Sequence, residues 1–289
     1  MPDPAMAAIL LVESAAGIAR SIGARSIVVS VDALPEGCEA PEGTLLVTRR
    51  PHDLRRAESL GVAKDCVLEV PEVELDRMGQ VKLAALVGVS RRKLDLADTV
   101  VFLTGPYRGL VDCMVILHLG GEYELLHATD QPTIAEHIKR AVFQRALDLA
   151  LSLGAHGREG RRVGVLMVVG DTSEVLTRSE QMILNPFQGY PEKSRNILDQ
   201  RMTETIREYA QLDGAILVRG NGVIESAGTR LIASSHHTVE AGLGARHAAA
   251  AGITDATRSV ALTVSESDGT VRIWRAGKMV ASLEPGSRG

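Results

Sequence analysis

The sequence predicts a two-domain α/β protein: an N-terminal α/β domain on a parallel sheet, then a second α/β domain with a mixed central sheet flanked by helices. Short apolar runs alternate with helix-length amphipathic stretches through the first half. A tight-hairpin signal and closely spaced strand-like runs mark the second half. Aromatic residues make up only 3% of the chain against 45% apolar residues, so Leu, Val, Ile and Ala must do the packing, as in layered sheets and helices. With 289 residues there is material for two cores. The domains are expected at 1–125 and 126–289, with the boundary near 122–130.

Taken in order, residues 8–12 or 26–31 read as strands, with a helix-like stretch at 15–23 between them. A strand at 44–47, a helix near 53–60 and a strand at 67–70 follow. A long amphipathic helix spans 75–87, and two buried strands are expected at 100–104 and 114–117. Pro132, Thr133 and Glu136 form a capping-box start for a helix whose apolar stripe is Ile134, Ile138, Val142 and Leu149, with Gly154 placed to end it. Then come a strand at 163–169, a loop at 185–190 and a helix at 194–209. Asn221-Gly222 marks a hairpin between strands at 215–218 and 223–226. A helix at 239–251 and strands at 259–264 and 271–274 close the chain.

The formal net charge of −4 argues against general nucleic-acid binding, which needs a basic face. The short basic clusters Arg49-Arg50, Arg55-Arg56, Arg91-Arg92-Lys93 and Arg161-Arg162 are diluted by acids and read as solvated surface. Cys38, Cys66 and Cys113 are odd in number and widely spaced, which indicates buried thiols in a reducing compartment. The apolar stretch 6–12 lacks a basic flank and stops at Glu13, so it is not a signal peptide. Residues 100–120 are interrupted by Pro106, Arg108 and Asp112 and do not make a membrane span. A cytoplasmic protein without membrane or nucleic-acid partners is expected.

Chemistry concentrates in three places. Asp213 opens an apolar strand beside Gly214 and Ala215, which puts a carboxylate next to a residue with no side chain. Arg246 and His247 follow Gly244 and Ala245 and precede an alanine run, so anionic groups can approach the backbone closely. Ser265 and Glu266 follow the strand at 259–264, and Asp268-Gly269 makes the turn beyond them. A metal or proton acceptor facing a cation pair suits nucleotide chemistry. The adjacent His236 and His237 lack metal-ligand spacing, and no P-loop, dinucleotide fingerprint or nucleophile elbow is present.

Val169-Gly170-Asp171-Thr172, Asn185-Pro186-Phe187, Asp213-Gly214-Ala215 and Leu243-Gly244-Ala245-Arg246-His247 stand in the order that makes the second half similar to the diadenylate cyclase domain, which joins two ATP molecules into cyclic di-AMP. In the first hundred residues, the stretch from Val12 to Arg20 and then Ser26-Ile27-Val28-Val29 resemble the C-terminal domain of pyruvate kinase. The whole is similar to the archaeal-type diadenylate cyclases. The resemblance implies that Asp213 lies by the ribose 3′-hydroxyl and holds Mn²⁺ or Mg²⁺. It implies ATP contacts at Gly214, Ala215, Gly244, Ala245, Arg246 and His247, with Leu231 against the adenine and Ser265 and Glu266 by the triphosphate. Two cyclase domains would meet face to face in a homo-oligomer. The family signature Gly-Thr-Arg-His-Arg is broken at Ala245 and Ala248, which leaves an inactive nucleotide sensor as the alternative and an effector-sensing first domain as a further possibility. The chain stops at Gly289 without the DNA-binding region of the DNA-scanning relatives, so no DNA role is implied.

Overall fold

The structure, a computed structural model, describes residues 3–120, 137–157, 161–232 and 244–284. They fall into two compact units that divide between residues 120 and 137.

The first unit opens with helix α1, Pro4–Ser21. Asp3 caps it, accepting from the Ala5 amide at 3.0 Å, and Pro4 starts the first turn without an orphaned N–H. Residues 8–12 are therefore helical rather than a strand. Ala8, Val12, Ala15 and Ala19 recur at helical spacing and all enter the core, a periodicity that outweighs the apolar run. Among the described residues α1 is the one helix long and apolar enough to cross a membrane, yet this face packs into the unit's own core.

Strands β1 (Ser26–Ser30), β2 (Thr44–Thr48), β3 (Val67–Glu69), β4 (Thr99–Thr104) and β5 (Cys113–His118) form one sheet in the order β3-β2-β1-β4-β5. The three pairings among β3, β2, β1 and β4 are parallel, and only β4–β5 is antiparallel. Helices α2 (Pro51–Ser59) and α3 (Arg77–Ser90) connect the strands. β5 is not buried as expected: it lies at the sheet edge, and Ile116 is 44% exposed. The three cysteines are free but half-buried rather than enclosed.

The second unit contains α4 (Arg140–His156), β6 (Val165–Val169), α5 (Thr172–Thr177), β7 (Ser179–Gln181), α6 (Met202–Tyr209), β8 (Ala215–Val218), β9 (Ile224–Leu231), α7 (Ala245–Ala256), β10 (Val260–Val264), β11 (Val271–Arg275) and β12 (Lys278–Leu283). Its sheet runs β12-β11-β10-β6-β8-β9-β7, parallel only between β6 and β8, so the mixed sheet is as expected. β6 and β10 are buried at every position, which requires cover on both faces. Ala250, Ala251 and Ile253 of α7 pack with Leu166, Val168, Ala261 and Trp274 on one face, and α4 packs on the same two strands.

Several boundaries differ from expectation for local reasons. Gly154 lies inside α4, where the missing side chain makes room for the Gly269 carbonyl oxygen, 2.3 Å from where a Cβ would stand; Gly157, at φ +58°, makes the cap. Ser194 ends a short 3-10 turn, Glu192–Ser194, and residues 195–201 are not helical. Asn196 and Asp199 accept from the amides of Leu198 and Arg201, turning the backbone before α6 starts. The short α5, β7 and β12 carried no periodic signal. Pro132, Thr133, Ile134 and Glu136, the expected boundary near 122–130, and residues 239–243 of the predicted helix lie outside the described residues.

One buried charge sets a pH dependence. Asp148 on α4 has its carboxyl pushed up to about 6 by burial, against the opposing pull of Arg145, and its Oδ1 finds no hydrogen-bond partner among the described residues. The fold thus favours the protonated form, whose stabilisation is complete below the unfolded value and lost as pH rises from about 4 through about 6. Asp148→Asn is expected to flatten the pH dependence of thermal unfolding over that window and to stabilise the protein by about 2 kcal/mol at neutral pH. An unchanged pH profile in urea denaturation would refute the assignment.

Candidate functional site

The chain reverses before β8 in the turn that carries Asp213. Gly214 occupies φ +97°, and a Cβ on it would stand 2.7 Å from the Thr229 amide of β9, so β8 starts with its backbone pressed onto its neighbour. Ala215 pairs with Thr229 and is fully buried, its methyl in the core. This close approach leaves the Asp213 carboxylate projecting outward, 86% exposed. Leu231, two residues beyond Thr229 and thus at the same end of the sheet, is partly buried against the core cluster.

Gly244 precedes the first turn of α7 in extended conformation, and Ala245 and Ala248 are exposed on that turn. Arg246 leaves the same turn and lies over Gly164, the residue before β6. A Cβ on Gly164 would come within 2.6 Å of Arg246 Nη1 and 3.0 Å of its Cζ. Seated there, the guanidinium reaches Asp213 Oδ1 through Nη2 and Glu266 Oε2 through Nη1, each at 3.5 Å. Asp213, Arg246 and Glu266 thus meet at the end of the sheet where β6 and β8 begin and β10 finishes. Both pairs are solvated and long, worth little in stability. An oxyanion with two forked acceptors would displace them readily.

His247 points inward. It is 7% exposed, with Nε2 3.5 Å from Arg272 Nη1 and its ring centroid 6.0 Å from that of Trp274. Burial holds the imidazole below its usual range, Arg272 and Arg246 push the same way, and Asp268 opposes them. The ring is therefore neutral at physiological pH, and its buried Nδ1 has no hydrogen-bond partner among the described residues. Ser265 is also buried. Its Oγ lies 3.0 Å from Ser267 Oγ, and its amide donates to the Thr270 carbonyl at 2.9 Å, which fixes the turn that presents Glu266.

The other two sequence motifs support the frame. Asp171, at φ +45°, accepts from the Arg258 amide at 2.8 Å at the far end of β6. Asn185 donates to the Glu225 carbonyl and accepts from the Phe187 amide, and Phe187 meets Tyr209 edge-on at 5.3 Å. Leu243, His236 and His237 lie outside the described residues. Gly164, Arg272 and Trp274 were not anticipated: an isolated glycine before a strand and residues inside an apolar run carry no motif.

No group of three or more His, Cys, Asp or Glu side chains that could hold a metal ion occurs among the described residues. A lone exposed Asp213, with Glu266 across Arg246, suits an ion such as Mg²⁺ that takes one or two carboxylates and completes its shell with substrate phosphates and water.

Residues 152–279 match the family described as DisA bacterial checkpoint controller nucleotide-binding. Over 200 residues, 66% of this chain and 70% of the relative, the sequence is 32% identical to a diadenylate cyclase from Haloferax volcanii. The chain belongs to the diadenylate cyclase family. It is also 37% identical over 163 residues to a diadenylate cyclase from Methanocaldococcus jannaschii, an alignment that takes in 56% of this chain and 50% of that relative. The chain thus spans about half the length of that family member. A double-mutant crystal structure of DacA from Staphylococcus aureus aligns with 49% of this chain and 85% of its own, at 21% identity and a TM-score of 0.33. Outside the cyclase region, residues 9–127 match a probable sensor domain, DacZ_P, rather than the pyruvate-kinase-like domain that the sequence suggested.

Proposed function

We propose that this chain is a diadenylate cyclase that condenses two ATP molecules into cyclic di-AMP and two pyrophosphates. Residues 126–289 form the cyclase domain and residues 1–125 a separate sensory domain. The observation that carries this reading is Arg246, seated on Gly164 between Asp213 and Glu266 at 3.5 Å from each. It is a cation held by weak surface pairs at the mouth of a family-specific nucleotide domain.

In the reaction, the 3′-oxygen of each ATP attacks the α-phosphorus of the other, the bond to the β-phosphate oxygen breaks and pyrophosphate leaves. Asp213 lies beside the attacking hydroxyl, and its carboxylate favours loss of that proton. Arg246 exchanges its carboxylate partners for phosphate oxygens and carries part of the charge of the departing pyrophosphate. The Ala245 and Arg246 amides open α7 without a partner inside the helix and can receive a phosphate oxygen, and Gly244 and Ala245 keep that approach open. His247, neutral, stiffens the first turn of α7 from beneath, and Leu231 offers an apolar edge for the adenine. Ser265 holds Glu266 by the triphosphate. Asp213 would hold Mn²⁺ or Mg²⁺, which neutralises phosphate charge when bound. Each domain supplies one nucleotide, so the site is complete only when two cyclase domains face each other in a homo-oligomer. Such an enzyme would work in the cytoplasm without a membrane or nucleic-acid partner.

The test is to incubate purified chain with ATP and Mn²⁺ or Mg²⁺ and to resolve cyclic di-AMP by mass-detected chromatography. Product is expected, with specific activity rising with protein concentration. ATP binding without product in either metal would favour the second reading, a nucleotide sensor of the same fold. That reading has one observation behind it: Ala245 and Ala248 stand exposed beside Arg246, where the family signature places Thr and Arg. If the chain is an active enzyme, other groups already compensate for the two missing contacts, and Ala245→Thr with Ala248→Arg raises kcat/KM by no more than about tenfold, less than two new charge-assisted contacts would add. A gain of about a thousandfold would identify the natural chain as the sensor.

A further inference from the structure

In the first unit, β1 lies between β2 and β4 and runs parallel to both. The chain builds outward from β1 to β2 and β3, then returns to the other side of β1 as β4. Such a reversal opens a crevice beyond the carboxyl ends of the strands, where open α/β sheets bind ligands. The residues just past those ends are Asp32 after β1, Arg49 and Arg50 after β2, Glu72 after β3, and Tyr107 and Arg108 after β4.

They form two layers. In the floor, Arg49 has a side chain only 5% exposed and donates from Nη1 to both Asp32 oxygens, at 2.8 and 2.9 Å, and from Nη2 to Gln80 at 2.6 Å. Ser30 donates to Asp32, and Gln80 donates to the Gly105 carbonyl, so this layer is satisfied. The Thr104 hydroxyl, on a residue 5% exposed at the end of β4, has no hydrogen-bond partner among the described residues.

The outer layer is different. Glu72 Oε1 is shared between Arg50 Nε at 2.6 Å and Arg108 Nη2 at 3.2 Å, and all three groups are solvent-accessible. The Arg50 contact is ionic but not an aligned hydrogen bond: its buried Nε has no hydrogen-bond partner among the described residues. Arg108 sits at φ +59°, an unfavourable conformation for a residue with a side chain, and its guanidinium lies 5.3 Å from the ring of Tyr107. Arg49 lies 5.6 Å from the same ring. Two guanidinium groups are thus held over a preformed floor and bridged by one singly charged carboxylate.

We propose that this crevice binds the phosphate group of a small metabolite, with Arg50 and Arg108 as its ligands and Glu72 as an internal competitor that the phosphate displaces. A phosphate carries more charge and more acceptor oxygens than Glu72, so it gains on both arginines what the carboxylate gives up. A ligand carboxylate would only match Glu72. This inference is independent of the cyclase assignment.

Inorganic phosphate is the probe, titrated calorimetrically into the full chain. Saturable binding is expected, retained in Arg246→Gln, where the cyclase end is disarmed. Glu72→Gln is expected to tighten it about tenfold, since the competitor loses its charge. Arg50→Gln with Arg108→Gln is expected to weaken it by at least about tenfold, with an unchanged circular dichroism melt to show that the fold persists. Absent binding, binding abolished by Arg246→Gln alone, or binding indifferent to Glu72 and to the arginine pair would each overturn the proposal.

Discussion

Asp213→Asn is expected to reduce cyclic di-AMP formation by about a thousandfold while leaving the protein folded, the scale of losing one charge-bearing group at a phosphoryl-transfer centre. The substitution touches almost nothing structural. The carboxylate is 86% exposed, its described ion pair is the 3.5 Å contact with Arg246, and Asn suits a turn as well as Asp does. Turn geometry is set instead by Gly214 against Thr229. The loss should fall on kcat, because the amide still occupies the same space but no longer favours loss of the 3′-hydroxyl proton or binding of a divalent ion. Single-turnover product formation checks this. A variant that turns over at the wild-type rate would remove Asp213 from the chemistry and with it the cyclase reading.

The second large effect comes from a residue with no side chain. Gly164→Ala puts a methyl where Arg246 Nη1 now lies, at 2.6 Å, and crowds the Cβ of Glu266 at 3.3 Å. The backbone of Gly164 is not left-handed, so alanine meets no conformational penalty there. The obstructed atom is the far end of a long flexible side chain, which swings away at little cost. Stability should therefore change little while the guanidinium leaves its position between Asp213 and Glu266. Misplacing a charge-stabilising group by about 1 Å costs on the order of a hundredfold. The expected result is such a drop in kcat/KM with a melting temperature near that of the parent. Full activity would show that the seat on Gly164 has no part in orienting Arg246. Gly154 and Gly214 offer the contrast: a Cβ at either meets backbone atoms, which cannot yield, so alanine there should damage the fold itself.

The parts of the fold that were legible are those where one-dimensional pattern and three-dimensional burial coincide. Residues 44–48 and 260–264 are apolar runs buried on both faces, and Asn221-Gly222 reports its own hairpin through the left-handed Gly222. Residues 8–12 misled because an Ala- and Leu-rich run suits a buried strand and a helix equally, and only the longer spacing to Ala15 and Ala19 separates them. β7 and β12 were missed because their residues alternate weakly at a sheet edge. At the site, Asp213, Arg246 and Glu266 were legible because each carries a charge next to small residues or at a strand end. Gly164 was not, since its contribution is an absence, defined only by a guanidinium far along the chain. The arginine crevice of the first unit was dismissed as surface for a similar reason: Arg49-Arg50 reads as a basic pair until folding buries one and leaves the other partly open to solvent.

Trp274 is the sole tryptophan of the chain. It is 3% exposed, donates from Nε1 to Thr263 at 2.9 Å, and lies 6.0 Å from the imidazole of His247, one residue from Arg246. Excitation at the red edge of protein absorbance therefore interrogates one spot, beneath the turn that carries the site's principal cation. Indole emission responds to nearby protonated imidazole and to shifts in packing. The chain thus has a built-in optical reporter for the start of α7, readable without any label.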